Sequence, residues 1–339
     1  MAMKAIALLS GGLDSSLAIR VVQEQGVEVE GVHFVSVFNA TAPDTPGLLR
    51  ALRVARQLGV KATTVDFTHE QLELVQRPAH GYGSNMNPCI DCHMAMLRRA
   101  AERMRATGAS FIVSGEVVGQ RPMSQRSHVL RQIDQETTLG GLILRPLSAK
   151  LLPPTLPELE GWVDRDKLFD ISGRSRKRQL ELAAHYGITE HASPAGGCLL
   201  TEPGFAARLR DLIGIADAEL DLYDVHLLKV GRHFRLDPAT KVVVGRNERE
   251  NATVHTFSRP TDLSMTTRDA PGPTALLRGD ASPDHVLTAA ALTARYSKLR
   301  DQPTVAIKVG PGRKGEAPEV QVVEVVPIDD TRAKALRIG

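Results

Sequence analysis

The sequence predicts an α/β domain built on a parallel sheet with helices on both faces, followed by a smaller α+β domain. Three observations lead there. Residues 4–9 form a near-continuous apolar run, the pattern of a strand buried on both faces. That run passes through a glycine turn into a helix at 17–25, closed by Gly26, and a second strand at 29–37 follows, which makes a βαβ unit. From about residue 221 the texture changes to short β-rich runs.

The remaining elements repeat the first pattern. A helix at 48–58 ends near Gly59 and leads to a strand at 62–67. A helix at 92–107 leads to a strand at 111–114, and 142–146 is a further candidate strand. Residues 151–157 are rich in proline and leucine. Residues 173–186 read as a basic helix bearing Arg174, Arg176, Lys177 and Arg178, a run that suits RNA phosphates and a solvated face equally well. A glycine-rich turn at 193–198 and a short helix at 205–212 precede strands at 241–244 and 304–309, with a loop expected at 266–279. The boundary falls near residue 215, which gives domains 1–215 and 216–339. No repeat of solenoid period is present.

Composition narrows the function classes. The 339 residues suffice for two cores. Hydrophobic residues are 42% and charged residues 24%, ordinary for a soluble globular protein. No run of about 18 apolar residues exists, and the first residues lack a signal-peptide pattern, so the expected location is cytoplasmic. A net charge of +3 permits a nucleic-acid partner without requiring one. Aromatics at 4% are too few for a protein that grips single strands mainly by stacking, so any RNA contact rests on phosphates and shape. Three cysteines, Cys89, Cys92 and Cys198, speak against a disulfide framework and for a chemical role.

The strongest motif is Ser10-Gly11-Gly12-Leu13-Asp14-Ser15, with Ser16 following. Glycines let the backbone approach an anion, and the N–H groups of the loop and the helix start then face phosphate oxygens. Asp14 would repel phosphate unless a cation lies between, and Mg²⁺ suits one carboxylate plus phosphate oxygens. No lysine stands where a kinase-type loop has one, which favours pyrophosphate as leaving group over γ-phosphoryl transfer. The competing reading is a serine-capped turn.

Cys89-Ile90-Asp91-Cys92 sits at a predicted helix start, where the dipole favours thiolate. Cys198 lies in the glycine-rich turn. A persulfide, a metal cluster and, less well, zinc with His93 or His191 all remain open from the residues alone. Ser114-Gly115-Glu116 follows a strand and so lines the crevice of such a sheet, which makes Gly115 a nucleotide contact. Arg121 and Gln125, in the next loop, are candidates for phosphate or target base. Arg145 is a candidate for the triphosphate or an ordinary surface arginine.

The hexapeptide resembles the signature of the PP-loop ATP pyrophosphatases, Ser-Gly-Gly-x-Asp-Ser, in the expected strand–loop–helix context. The resemblance implies an adenine nucleotide alpha hydrolase-like fold that binds ATP and Mg²⁺, cleaves ATP between the α- and β-phosphates and transfers AMP to a carbonyl oxygen. Asn87-Pro88-Cys89-Ile90-Asp91-Cys92-His93 resembles the Asn-Pro-Cys-x-x-Cys-Asn segment of the tRNA 2-thiouridylases, with His93 in place of asparagine. That implies tRNA as partner, a sulfur donor (sulfide or a persulfide carrier) and catalysis by Cys89, Cys92 and Cys198. In several PP-loop thiolases three such cysteines hold a 4Fe-4S cluster, the form expected here.

Val230-Gly231-Arg232-His233-Phe234-Arg235 and Val244-Gly245-Arg246-Asn247 share a Val-Gly-Arg theme and resemble the NFACT-R type of RNA-associated domain. Arg232, His233, Arg235, Arg246 and Asn247 are its expected anion donors. No THUMP-type module is apparent ahead of the loop, which puts equivalence with the 4-thiouridine synthases in doubt. Two rivals remain: a PP-loop enzyme inserting sulfur or nitrogen into a small molecule, and a non-catalytic RNA-binding adaptor. A homodimer is compatible with the sequence.

Overall fold

The structure is a computed structural model and describes residues 3–39, 46–191, 198–215, 220–312 and 320–339. It divides into two compact units, Met1–Leu199 and Leu200–Gly339.

The first unit is a five-stranded parallel sheet. Its elements are β1 (Lys4–Leu8), α1 (Leu13–Gln23), β2 (Glu28–Val35), α2 (Pro46–Leu58), β3 (Lys61–Asp66), α3 (Thr68–Gln76), α4 (Cys89–Thr107), β4 (Phe111–Val113), α5 (Ser127–Glu136), β5 (Ile143–Leu144), α6 (Leu156–Leu159) and α7 (Lys177–His185). Strand order is β3-β2-β1-β4-β5, with every pair parallel. The alternation of a strand explains the two-sided core. Ala5, Ala7, Phe111 and Val113 pack on one face with α1 and α2, while Ile6 and Ile112 pack on the other with α4. All six are buried. The order reverses direction between β1 and β4, and in open parallel sheets a ligand crevice lies at such a switch, beyond the strand C-termini. Both chemical motifs of this unit border that region.

Two helices start earlier than their sequence pattern suggests. α1 begins at Leu13 rather than 17, and α4 at Cys89 rather than 92. In both, the motif residues form the first helical turn instead of a preceding loop. α4 stops at Gly108, whose φ of +69° ends it in the left-handed region.

The second unit holds α8 (Pro203–Ile215), α9 (Leu222–Leu227), β6 (Arg232–Arg235), β7 (Lys241–Val244), α10 (Glu248–Thr256), β8 (Leu263–Thr267), β9 (Ala275–Arg278), α11 (Pro283–Arg295), β10 (Val305–Pro311), β11 (Gln321–Val325), α12 (Asp330–Leu336) and β12 (Arg337–Ile338). Its seven strands form one antiparallel sheet in the order β11-β10-β8-β9-β7-β6-β12. α11 buries Ala289, Ala290, Leu292 and Ala294 in the core with Phe234, Val242 and Ile307. The expected loop at 266–279 is corrected here. Ala275–Arg278 is a central strand, paired to both β7 and β8, because its short apolar run completes the sheet between the prolines and Gly279. Among the described residues, no helix is long and apolar enough to cross a membrane.

Candidate active site

The loop between β1 and α1 is folded around the carbonyl of Gly12. Gly12 N–H donates to Ser10 Oγ at 3.2 Å, and the Ser10 and Ser15 hydroxyls stand 3.0 Å apart. Ser15 Oγ and Ser16 Oγ each donate to Gly12 O at 2.9 Å. Gly11 takes φ +74°, and a Cβ there would stand 3.1 Å from the Ala51 nitrogen of α2, so glycine is required by both conformation and space. The serines thus fix the loop rather than cap the helix. No side chain caps α1, so the N–H groups of its first turn keep the donor capacity and positive partial charge that suit an anion. The end of β1 is pinned as well. Leu9 N–H donates to Val32 O at 2.8 Å, and His33 Nδ1 lies 2.7 Å from Leu9 O.

Asp14 lies in the first turn of α1. Gln120 Nε2 donates to Asp14 Oδ2 at 3.1 Å, whereas Asp14 Oδ1 is buried without a hydrogen-bond partner. A buried carboxylate oxygen left so is costly unless something fills its valence. A hard cation such as Mg²⁺, which takes one or two carboxylates plus phosphate oxygens, fits that oxygen. Gly115 sits on the turn after β4. A Cβ there would fall 2.6 Å from the Ser15 nitrogen and 2.7 Å from the Asp14 carbonyl carbon. The glycine therefore lets the β4 turn lie directly on the phosphate-loop backbone. Arg121 is exposed on the neighbouring loop, next to the Gln120 that reaches Asp14.

The cysteine site stands on the other side of the same turn. Cys89 is half-buried at the start of α4, with Asn87 Nδ2 and Ser124 Oγ each 3.6 Å from its sulfur. Burial pushes the Cys89 thiol up, but the hydrogen bond and charge of His93, one turn on, outweigh it and hold it below the usual thiol value. His93 Nδ1 lies 2.7 Å from Glu116 Oε1. Burial lowers the His93 pKa, yet its bonds to Cys89 and Glu116 win and raise it to about 10, so an imidazolium stands beside Cys89 and favours its thiolate form. Glu116 also accepts from Ser114 Oγ at 3.1 Å and from Arg145 Nε at 2.9 Å. Its burial opposes ionisation, but the Arg145 charge and then His93 hold it at about 2.

Cys92 is different. It is buried, receives a 3.5 Å hydrogen bond from Gln71 Nε2, and is pushed up to about 12 by burial, with the charges of Cys198 and Cys89 adding to the rise. Cys198 is half-buried and bridges Asn39 in a single β-contact, while Leu199 N–H donates to Phe38 O. None of the three is in a disulfide. The rest of the predicted turn, 193–197, lies outside the described residues. Three thiols are a donor set that a 4Fe-4S cluster takes. However, among the described residues no three His, Cys, Asp or Glu side chains are gathered as a metal site. The charges of Cys89 and Cys198 both act on Cys92, so the three thiols share one neighbourhood.

Several sequence expectations change. Arg145 is neither on the surface nor open to a triphosphate, being fully buried and paired to Glu116 and, at 2.9 Å, to Asp134. In the second unit His233 is buried, bonded to Val230 O, and held well below its usual value by burial, so it is a neutral core group. Arg235 is paired with Asp211 at 2.6 Å, and Asn247 caps α10 by accepting from Glu250 N–H. Sequence reasoning missed Gln120 as the partner of Asp14 and the Glu116–His93 contact. Glu116 was visible only as the last letter of Ser114-Gly115-Glu116.

These features define the class: a parallel α/β domain with a phosphate loop of the PP-loop type. Residues 1–150 match the family model described as thiamine biosynthesis protein (ThiI), and residues 231–335 match the NFACT protein RNA binding domain. The chain therefore pairs a PP-loop, tRNA thiouridylase-like domain with an NFACT-R-like domain. It is 27% identical over 248 residues to the tRNA-specific 2-thiouridylase MnmA of Synechocystis sp., covering 69% of this chain and 64% of that protein's length. A protein named probable tRNA sulfurtransferase, from Acetivibrio thermocellus, is 34% identical over 119 residues, 34% of this chain and 29% of its own. A solved 4-thiouridine synthetase–RNA complex with bound ATP is similar at 23% identity and a TM-score of 0.35, covering 56% of this chain and 52% of that one.

Proposed function

We propose that this chain is an ATP-dependent tRNA thiolation enzyme. The observation that carries this reading is the turn Ser114-Gly115-Glu116. Its glycine packs on the phosphate loop and its glutamate holds His93 beside Cys89, so one rigid turn ties the adenylating site to the sulfur site. In the proposed reaction ATP-Mg²⁺ binds along Ser10, Gly11, Gly12, Asp14, Ser15 and Ser16. A uridine carbonyl oxygen attacks the α-phosphorus and pyrophosphate leaves. Sulfur then attacks the activated carbon and AMP leaves. Mg²⁺ supplies charge neutralisation between Asp14 and the phosphates.

The sulfur step is assigned to a Cys89 persulfide. Its terminal sulfur bonds to the base carbon, and a second cysteine thiolate attacks Cys89 Sγ to break the S–S bond. The resulting disulfide is reduced by an external thiol. Cys92, held protonated by its burial, is a poor second nucleophile, which leaves Cys198. A 4Fe-4S cluster on the three cysteines is the second reading, favoured by the charge interaction of Cys198 and Cys89 with Cys92. Anaerobic purification followed by iron and acid-labile sulfide assay separates them, since only the cluster form yields about four irons per chain.

The experiment that tests the function incubates a tRNA transcript with the protein, ATP, Mg²⁺, a polysulfide that charges Cys89 by sulfane-sulfur transfer and an external thiol, then analyses nucleosides by mass spectrometry. Thiouridine is expected with the wild type and not with Asp14→Ala at unchanged melting temperature. ATP-dependent thiolation of a free small molecule but not of tRNA would replace this reading with the small-molecule one. Pyrophosphate release in neither case would leave only an RNA-binding adaptor.

A further inference from the structure

The second unit gathers four arginines at one corner of its sheet. Arg232 opens β6 opposite Val244 of β7, and Arg246 lies two residues beyond that partner. On the other side of β6, β12 pairs Arg337 with Phe234 and Ile338 with His233, which places Arg337 on the neighbouring strand two positions along from Arg232. α8 closes the corner. The Gly204 carbonyl of that helix stands 3.0 Å from where a Cβ of Gly339 would lie, and Arg208 Nη1 donates to Gly231 O at 3.4 Å.

Neutralisation at this corner is incomplete. Among the described residues, Arg246 alone of the four has a salt bridge, to Glu250. That carboxylate is anchored in place, accepting from Gly231 N–H at 3.1 Å and Arg246 N–H at 2.9 Å. Other arginines of the same unit are matched: Arg235 to Asp211, Arg278 to Asp224 and Asp262. Two of the corner arginines are also held still. Arg232 is half-buried with Cζ 4.5 Å over the Tyr296 ring, and the buried Arg208 Nε has no partner. Burial, with the charges of Arg246 and Arg337, makes the cationic form of Arg208 and Arg232 harder to hold, an effect that Glu250, with Glu202 at Arg208, only partly offsets. Like charges that outnumber their counter-ions are relieved by an anion, and planar guanidinium forks suit phosphate oxygens.

We propose that Arg208, Arg232, Arg246 and Arg337 form the site on the second unit that holds successive phosphates of an RNA backbone. The inference rests on the RNA-binding reading of this unit and deepens it by naming the donors. An RNA strand is favoured over one free phosphate because the four charges run from half-buried to exposed and exceed what a single phosphate neutralises.

The test uses the full chain and an unmodified tRNA transcript, with binding measured across a salt series. Arg246→Gln and Arg337→Gln, both exposed, carry it, with Arg232→Gln as a third variant. Each substitution is expected to lower the slope of log affinity against log salt by about one and to weaken binding several-fold, the double variant on the order of tenfold or more. Arg268→Gln, an exposed arginine paired with Asp269, is expected to leave the slope unchanged. Wild-type RNA binding with unaltered slope in the corner variants overturns the site and leaves the RNA reading standing. No RNA binding by the wild type at low salt overturns both. Displacement of RNA from the wild type by inorganic phosphate at concentrations too low to screen the Arg268→Gln control's charge interactions reassigns the corner to a free anion. Weakened binding with a lowered melting temperature and no change of slope assigns these arginines to the fold alone.

Discussion

Gly115 and His93 each carry an argument that one substitution tests. A methyl group on Gly115 would overlap the Asp14–Ser15 backbone at 2.6–2.7 Å, which no rotamer relieves because the Cβ and its neighbours are backbone-fixed. Gly115→Ala is expected to cost about 1–3 kcal/mol in urea denaturation, the usual range for overpacking, and to lose more ATP affinity than stability since the displaced atoms are those of the phosphate loop. Equal nucleotide binding in wild type and variant would detach this turn from the ATP site. His93 acts by charge. The Cys89 thiol is held low while His93 is protonated, so alkylation of Cys89 should follow a pH profile centred below the ordinary thiol value of about 8.5. Removing the imidazolium by His93→Ala leaves burial as the main influence, and the profile should move up. Mass mapping of iodoacetamide adducts over a pH series reads this directly. A profile that stays put would show that His93 does not set the thiolate.

The elements β4, β5, α4 and α5 meet at the Arg145 guanidinium, which is buried between Glu116 and Asp134. Breaking a buried pair leaves one charge unmatched, so Arg145→Ala is expected to destabilise by about 3–5 kcal/mol. The sign of the pH dependence follows from Glu116. Its carboxyl sits at about 2 in the fold and near ~4.3 in an unfolded chain, so its stabilisation is complete above the unfolded value and drains away as pH falls toward the folded one. Denaturation midpoints taken from neutral pH down to the acid limb should fall steeply in the wild type and less steeply in Arg145→Ala. This network also marks where sequence reading stops. The phosphate loop was legible because an apolar strand, two glycines and an acid at fixed spacing are a local pattern. The cysteine pair was legible for the same reason. The Gln120–Asp14 bond joins residues 106 apart and the Arg145–Glu116 bond residues 29 apart, and no local pattern encodes either. His233 misled for a related reason. It stands between arginines in sequence, but β6 lies between β7 and β12, and both of its interior residues, His233 and Phe234, are buried.

At the scale of the whole molecule, each unit carries its own core. Ala5, Leu17 and Phe111 belong to the first, and Phe234, Ala290 and Ile307 to the second. A core of its own is the physical condition for a domain that unfolds by itself. Calorimetry of the intact chain is therefore expected to resolve two transitions. The phosphate loop, Asp14 and Gly115 all lie in Met1–Leu199, so a nucleotide bound there stabilises only that unit. With ATP-Mg²⁺ at about a hundred times its dissociation constant the linkage amounts to about 2.7 kcal/mol. For a unit of this size, at about 2–4 °C per kcal/mol, that raises its transition by about 5–11 °C while the second stays where it was. RNA should act in the opposite sense, raising the transition of the unit that carries the arginine corner, with the shift shrinking as salt rises. A single transition that moves as one with either ligand would mean that the two units fold as one cooperative body, and the separation of adenylating and RNA-holding roles between them would then have to be abandoned.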